Sequence, residues 1–162
     1  MSTKPLVLGL SLVLALGVSL ALASTTTNAP GSACVAVNGT LLTTGYGTVE
    51  NDTATAVVAL CPTDRIISPA VSTTLSATVW VVDESSTASV CCTVISAYPG
   101  GNAITSAPAC TSLPGKSGNV SVLSVSQITD TKSFSSFFVS CTLPATEGNS
   151  ASQILTYRTV QD

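Results

Sequence analysis

Val90-Cys91-Cys92-Thr93-Val94 and Phe137-Phe138-Val139-Ser140-Cys141-Thr142-Leu143 are the two stretches that decide the fold. In a β-strand successive side chains point to opposite faces, so Cys92 shares a face with Val90 and Val94, while Cys91 lies on the other. Cys141 shares its phase with Phe137, Val139 and Leu143. Both Cys92 and Cys141 are therefore expected to point inward. The other cysteines are Cys34, Cys61 and Cys110, making six in all. An even count in an exported chain signals disulfides before metal binding or catalysis. Six cysteines allow 15 pairings, and the strand phases narrow them. Cys92 to Cys141 is expected across the core, Cys91 to Cys110 from the outer face to the following loop, and Cys34 to Cys61 between the first strands. Chain-entropy arguments give each closure roughly 3 to 4 kcal/mol.

Outward from these stretches the chain reads as strands near residues 34–37, 41–49, 54–61, 75–82, 89–97, 120–127, 133–143 and 153–160. Turn chemistry separates them: Asn38-Gly39, Asn51-Asp52, Pro62-Thr63-Asp64, Tyr98-Pro99-Gly100-Gly101-Asn102, Pro114-Gly115-Lys116-Ser117-Gly118 and Glu147-Gly148-Asn149. No apolar stripe of helical period follows Ala23. Strands such as Ala54 to Leu60 are apolar on both phases, which suits two packed sheets. The fold class is therefore all-β: an antiparallel two-sheet sandwich stapled by disulfides, immunoglobulin-like as first choice and a jelly roll as second.

Before this domain, Lys4, the apolar run Pro5 to Leu20 and the small-residue ending Ala21-Leu22-Ala23 read as a secretory signal peptide over residues 1–23. Residues 24–33 read as a flexible leader, being rich in Ser, Thr, Pro and Gly, and 34–162 as one sandwich domain. The expected location is extracellular or periplasmic, secreted or at the cell surface, with no membrane contact after cleavage.

Composition limits the chemistry. Charged residues are 8 % of the 162, against about 25 % in an average soluble protein. Residues 24–162 hold 21 Ser and 23 Thr, so hydroxyls supply the polarity. A net charge of −3 with five Lys and Arg carries no nucleic-acid footprint. The chain has no histidine, which removes the commonest general base and the usual zinc ligand. Gly115-Lys116-Ser117 lacks the upstream glycine and the helix of a phosphate loop. The carboxylates are scattered, and Asp83-Glu84 are strand neighbours that face opposite ways. No cofactor, metal or catalytic residue is expected.

Trp80 is the most informative aromatic. The apolar phase of its strand is Leu75, Ala77, Val79 and Val81, which leaves the indole beside Ser76 and Thr78 as a candidate contact for a sugar or protein. The bland alternative is that a loop or the Cys91 to Cys110 segment covers it. Tyr98 and Tyr157 are weaker candidates of the same kind, and Phe134, Phe137 and Phe138 are expected in the core. Asn38, Asn51 and Asn119 head glycosylation sequons in expected turns, and would carry glycans in a eukaryotic secretory route.

Together Cys61-Pro62, Val79 to Asp83, Val90 to Val94, Phe138 to Pro144 and Ile154 to Arg158 resemble small exported bacterial proteins with paired-cysteine β-strands. The resemblance implies export and a disulfide-linked β-domain, and transfers no activity. It also implies that Cys91 and Cys110 are an addition to a four-cysteine pattern, which favours their mutual pairing. The expected function is that of a non-catalytic structural or surface-recognition module. It would contact itself, a cell-surface protein or a glycan, with self-assembly by strand addition at Asn119 to Gln127. The alternatives are a carbohydrate-binding or adhesive module using Trp80, and a hydrolase in which Asp83, Glu84 and Asp64 converge.

Overall fold

The computed structural model describes residues 24–65, 73–115 and 118–162; the expected signal peptide lies outside the described residues. In chain order the strands are β1 (Thr25–Pro30), β2 (Val35–Ala36), β3 (Leu42–Thr43), β4 (Val49–Glu50), β5 (Val57–Pro62), β6 (Thr73–Val82), β7 (Cys91–Ala97), β8 (Ala103–Thr105), β9 (Ala109–Cys110), β10 (Val120–Asp130), β11 (Ser136–Leu143) and β12 (Gln153–Gln161). A single 3-10 turn at Gly31–Ala33 is the only helical element among the described residues.

All pairings are antiparallel, and they build two sheets. The first sheet runs β10-β6-β12-β4-β3, with β1 also along β12; the second runs β2-β5-β11-β7-β8, with β9 also on β7. The long strands alternate between the sheets from β5 to β7 and again from β10 to β12. An immunoglobulin sandwich would set its last two strands side by side. Here β11 lies between β5 and β7 while β12 lies between β6 and β1, in opposite sheets. That is the interleaved order of a jelly roll, and it replaces the immunoglobulin-like arrangement expected first.

The leader expected over residues 24–33 is ordered. Thr25 to Pro30 pair residue by residue with Gln161 to Thr156, forming β1, and Gly31 turns the chain beneath β12. A Cβ at Gly31 would lie 2.1 Å from the Ile154 carbonyl oxygen, so this backbone crossing requires glycine.

Period-two alternation places the core as the sequence implies. In β6, Leu75, Ala77, Val79 and Val81 are buried, and in β11 Phe137, Val139, Cys141 and Leu143 are buried against them. Of the three phenylalanines only Phe137 is core. Phe138 sits half-buried on the outer face of the second sheet, and Phe134 is exposed and meets the Tyr98 ring edge-on at 6.2 Å.

The three expected cysteine pairs are present, but none crosses between the sheets. Cys92 and Cys141 are register partners on β7 and β11, and Cys91 and Cys110 are register partners on β7 and β9. Cys34 precedes Val35, which faces Leu60, and so it lies against Cys61. All three bonds staple neighbouring strands of the second sheet. Among the described residues, packing, hydrogen bonds and the Arg65–Asp130 ion pair hold the first sheet onto it.

Candidate functional site

The outer face of the first sheet carries the sequence's main candidate. Trp80 is half-buried and aligned with Val122 on β10 and Thr156 on β12. The Arg158 guanidinium lies 5.8 Å from the centre of its ring. The Cys91–Cys110 bond belongs to the second sheet and does not cover the indole. Val120 and Val122, 53 % and 55 % exposed, follow Trp80's face along β10.

β10 is also an edge. Among the described residues no strand pairs with its other side, so one row of its backbone N–H and C=O groups faces away from β6. Eleven residues long, it is uncharged from Val120 to Thr129. The remaining edges are blunted: β2, β3 and β9 have two residues each and β8 has three, while β1 ends in Pro30. A bulge between Val125 and Ile128 distorts the far half of β10, leaving Val120 to Val125 as the regular stretch.

The carboxylates that the alternative hydrolase reading needs to converge do not. Asp83 closes β6 at one end of the sandwich. Asp64 lies at the other, where the Gln161 amide donates to its carbonyl oxygen, about 30 Å away by the rise of a ten-residue strand. Asp83 is buried and saturated. One oxygen accepts from the Ser85 N–H at 3.1 Å and the Ser152 hydroxyl at 3.2 Å, the other from the Val90 N–H at 3.1 Å and the Thr111 hydroxyl. Glu84 accepts from the Gly118 N–H at 2.7 Å.

Two further carboxylates hold loops in the same way, and no local motif marks either. Glu147 accepts from the Ser85, Ser86 and Thr87 hydroxyls at 2.7, 2.7 and 2.8 Å and from the Ser86 N–H at 3.0 Å; these bonds hold its pKa down at about 2. Asp130 is buried at the end of β10. It accepts from the hydroxyls of Ser96, Ser135 and Tyr98, the Lys132 N–H and Arg65. Burial alone would raise its pKa, but the Ser135, Ser96, Lys132 and Tyr98 bonds outweigh burial and set it at about 2.

These contacts settle the weaker candidates. Tyr98 is half-buried and engaged with Asp130. Tyr157 is a core residue, 2 % exposed, and its hydroxyl donates to the Pro62 carbonyl at 2.6 Å; it presents no contact surface. Burial, reinforced by Asp64, raises its pKa. Asn38 and Asn119 are exposed, but Asn51 is fully buried. The Asn51 amide nitrogen donates to the Thr55, Leu143 and Pro144 carbonyls at 2.8, 3.3 and 2.7 Å. A glycan on that nitrogen is incompatible with the fold.

Beside Asp83 a pocket of about 550 Å³ opens between the chain after β9 and the start of β10. Thr111, Ser112, Leu113, Pro114 and Gly115 form one wall; Asn119, Val120 and Ser121 form the other. Gly115 approaches so closely that a Cβ would lie 2.5 Å from the Asp83 and Ser85 carbonyl oxygens. Among the described lining residues none is cationic. No family model matches the chain, and no curated protein does either.

Proposed function

We propose that this is an exported, non-catalytic structural or surface-recognition module that associates with further copies of itself through β10. Export is supported by the six cysteines, all of them disulfide-bonded in an arrangement that a reducing cytosol would not maintain, and by the signal-like residues 1–23. The non-catalytic reading is supported by Asp83, Asp130 and Glu147, whose oxygens are occupied by loop hydroxyls and amides.

The observation that carries the proposal is the unguarded edge. Val120 to Val125 has no charge, an exposed apolar pair, Val120 and Val122, and backbone groups that no described strand pairs on the side away from β6. A second β10 laid antiparallel about a two-fold axis would satisfy both edges and bring the two Val122-Trp80 faces together. Size-exclusion chromatography with light scattering over a wide concentration range tests this. Growth in mass with concentration, abolished by Val122→Lys, is expected. A strict monomer throughout would overturn the proposal.

A further inference from the structure

We propose that the pocket beside Asp83, with Trp80 as an adjoining platform, binds a neutral carbohydrate. The site adjoins the strand edge and shares Val120 and Trp80 with it.

The pocket is built and rigid. Cys110, bonded to Cys91 on β7, fixes the start of its first wall. The next residue, Thr111, gives its hydroxyl to Asp83 and its N–H to the Val90 carbonyl at 2.9 Å. At the far end of the wall the Gly115 N–H donates to the Ser85 carbonyl at 2.8 Å. A disulfide and three hydrogen bonds thus hold the segment before any ligand arrives, which lowers the entropy lost on binding.

The lining selects the class of ligand. Asp83 has all its acceptor positions occupied from within the protein, so it buttresses the wall and leaves none for a cation. The Asp83 carboxylate at the back of the pocket disfavours anions. The rest of the described lining is uncharged: polar Ser112, Ser121 and the exposed Asn119, with apolar Leu113 and Val120. Hydroxyl and amide groups match the O–H groups of a sugar, and apolar side chains match its C–H faces. The volume of about 550 Å³ lies within the range of small-molecule sites.

Trp80 extends the footprint. Val120 is the register partner of Val82 and Val122 of Trp80, so the indole lies two residues along the same sheet face from the pocket wall, about 7 Å at the rise of a strand. A chain of two or three sugar units could rest one ring in the pocket and another on the indole.

Titration with neutral probes (glucose, galactose, N-acetylglucosamine and their β-linked disaccharides), followed by indole fluorescence and by calorimetry, is the test. Saturable binding of at least one probe is expected, with the disaccharide tighter than its monomer. Asn119→Ala, at an exposed position, should weaken it roughly tenfold, the scale of one lost hydrogen bond to a ligand. Trp80→Ala should remove the advantage of the disaccharide. No saturable binding across the set, or affinities unchanged in both variants while circular dichroism shows them folded, would overturn the proposal. Oligomeric state is read separately, so failure here leaves the strand-edge proposal standing or falling on its own measurement.

Discussion

Replacing Asn51 by aspartate changes one NH2 group to an oxygen at nearly constant volume, inside a site with no solvent exposure. The amide has two hydrogens, and its two shortest contacts are to Thr55 O at 2.8 Å and Pro144 O at 2.7 Å. The acceptor side is untouched by the change: Oδ1 would still receive the Thr53 N–H at 3.0 Å and hydroxyl at 2.6 Å. Each buried carbonyl left without its donor costs about 1 to 3 kcal/mol. Two of them give a loss of about 4 kcal/mol, a large part of a typical stability of about 5 to 15 kcal/mol. Burial beside carbonyl oxygens also raises the new carboxyl's pKa, since the charged form gains nothing there. In acid the protonated acid recovers one donor, so the deficit relative to the native protein should narrow as pH falls. Urea unfolding of Asn51→Asp and native protein at neutral pH and near pH 4 measures both effects. A loss under about 1 kcal/mol with unchanged m-value would refute the role assigned to this amide.

Three more outcomes are expected. Asp130 and Glu147 both have pKa values held at about 2, below the ordinary carboxylate range near 4. A depressed folded pKa stabilises above the unfolded value, so stability should be intact at pH 5 and fall between pH 4 and 2; thermal unfolding at pH 5 and 2.5 measures it, and Asp130→Asn should flatten the dependence. Under graded reduction the Cys91–Cys110 bond should open first, because Cys110 is exposed and the other two bonds are buried; alkylation mass spectrometry that finds Cys92 or Cys34 modified earlier contradicts this. Gly31→Ala should destabilise by about 2 kcal/mol or more through its clash with the Ile154 carbonyl, and should raise hydrogen exchange selectively in β1.

Phase was the legible part of this chain. The alternation around Cys92, Cys141, Phe137 and Trp80 is local, and each of these side chains points where its neighbours imply. Asn119 to Gln127, preferred as an edge for its lack of charge, does lie at the end of the first sheet, but absence of charge marks an edge open to pairing and does not by itself place a strand there. Which strand lies beside which was not, because phase assigns a face and not a partner. Hence Cys92 to Cys141 was expected across the core and instead bridges adjacent strands of one sheet. The same gap separates the immunoglobulin order from the jelly roll. β1 escaped notice since Thr25 to Pro30 has little apolar character and is held by backbone pairing to β12, which no composition reveals. Asn51 looked like an accessible turn residue; its burial depends on carbonyls more than ninety positions away.

Hydrogen exchange at low and high protein concentration tests the use of β10 most directly. Added protection at high concentration confined to Val120 to Val125, and absent in Val122→Lys, is the expected result. Unchanged exchange in that stretch, or protection arising on β2 or β8 instead, would contradict it.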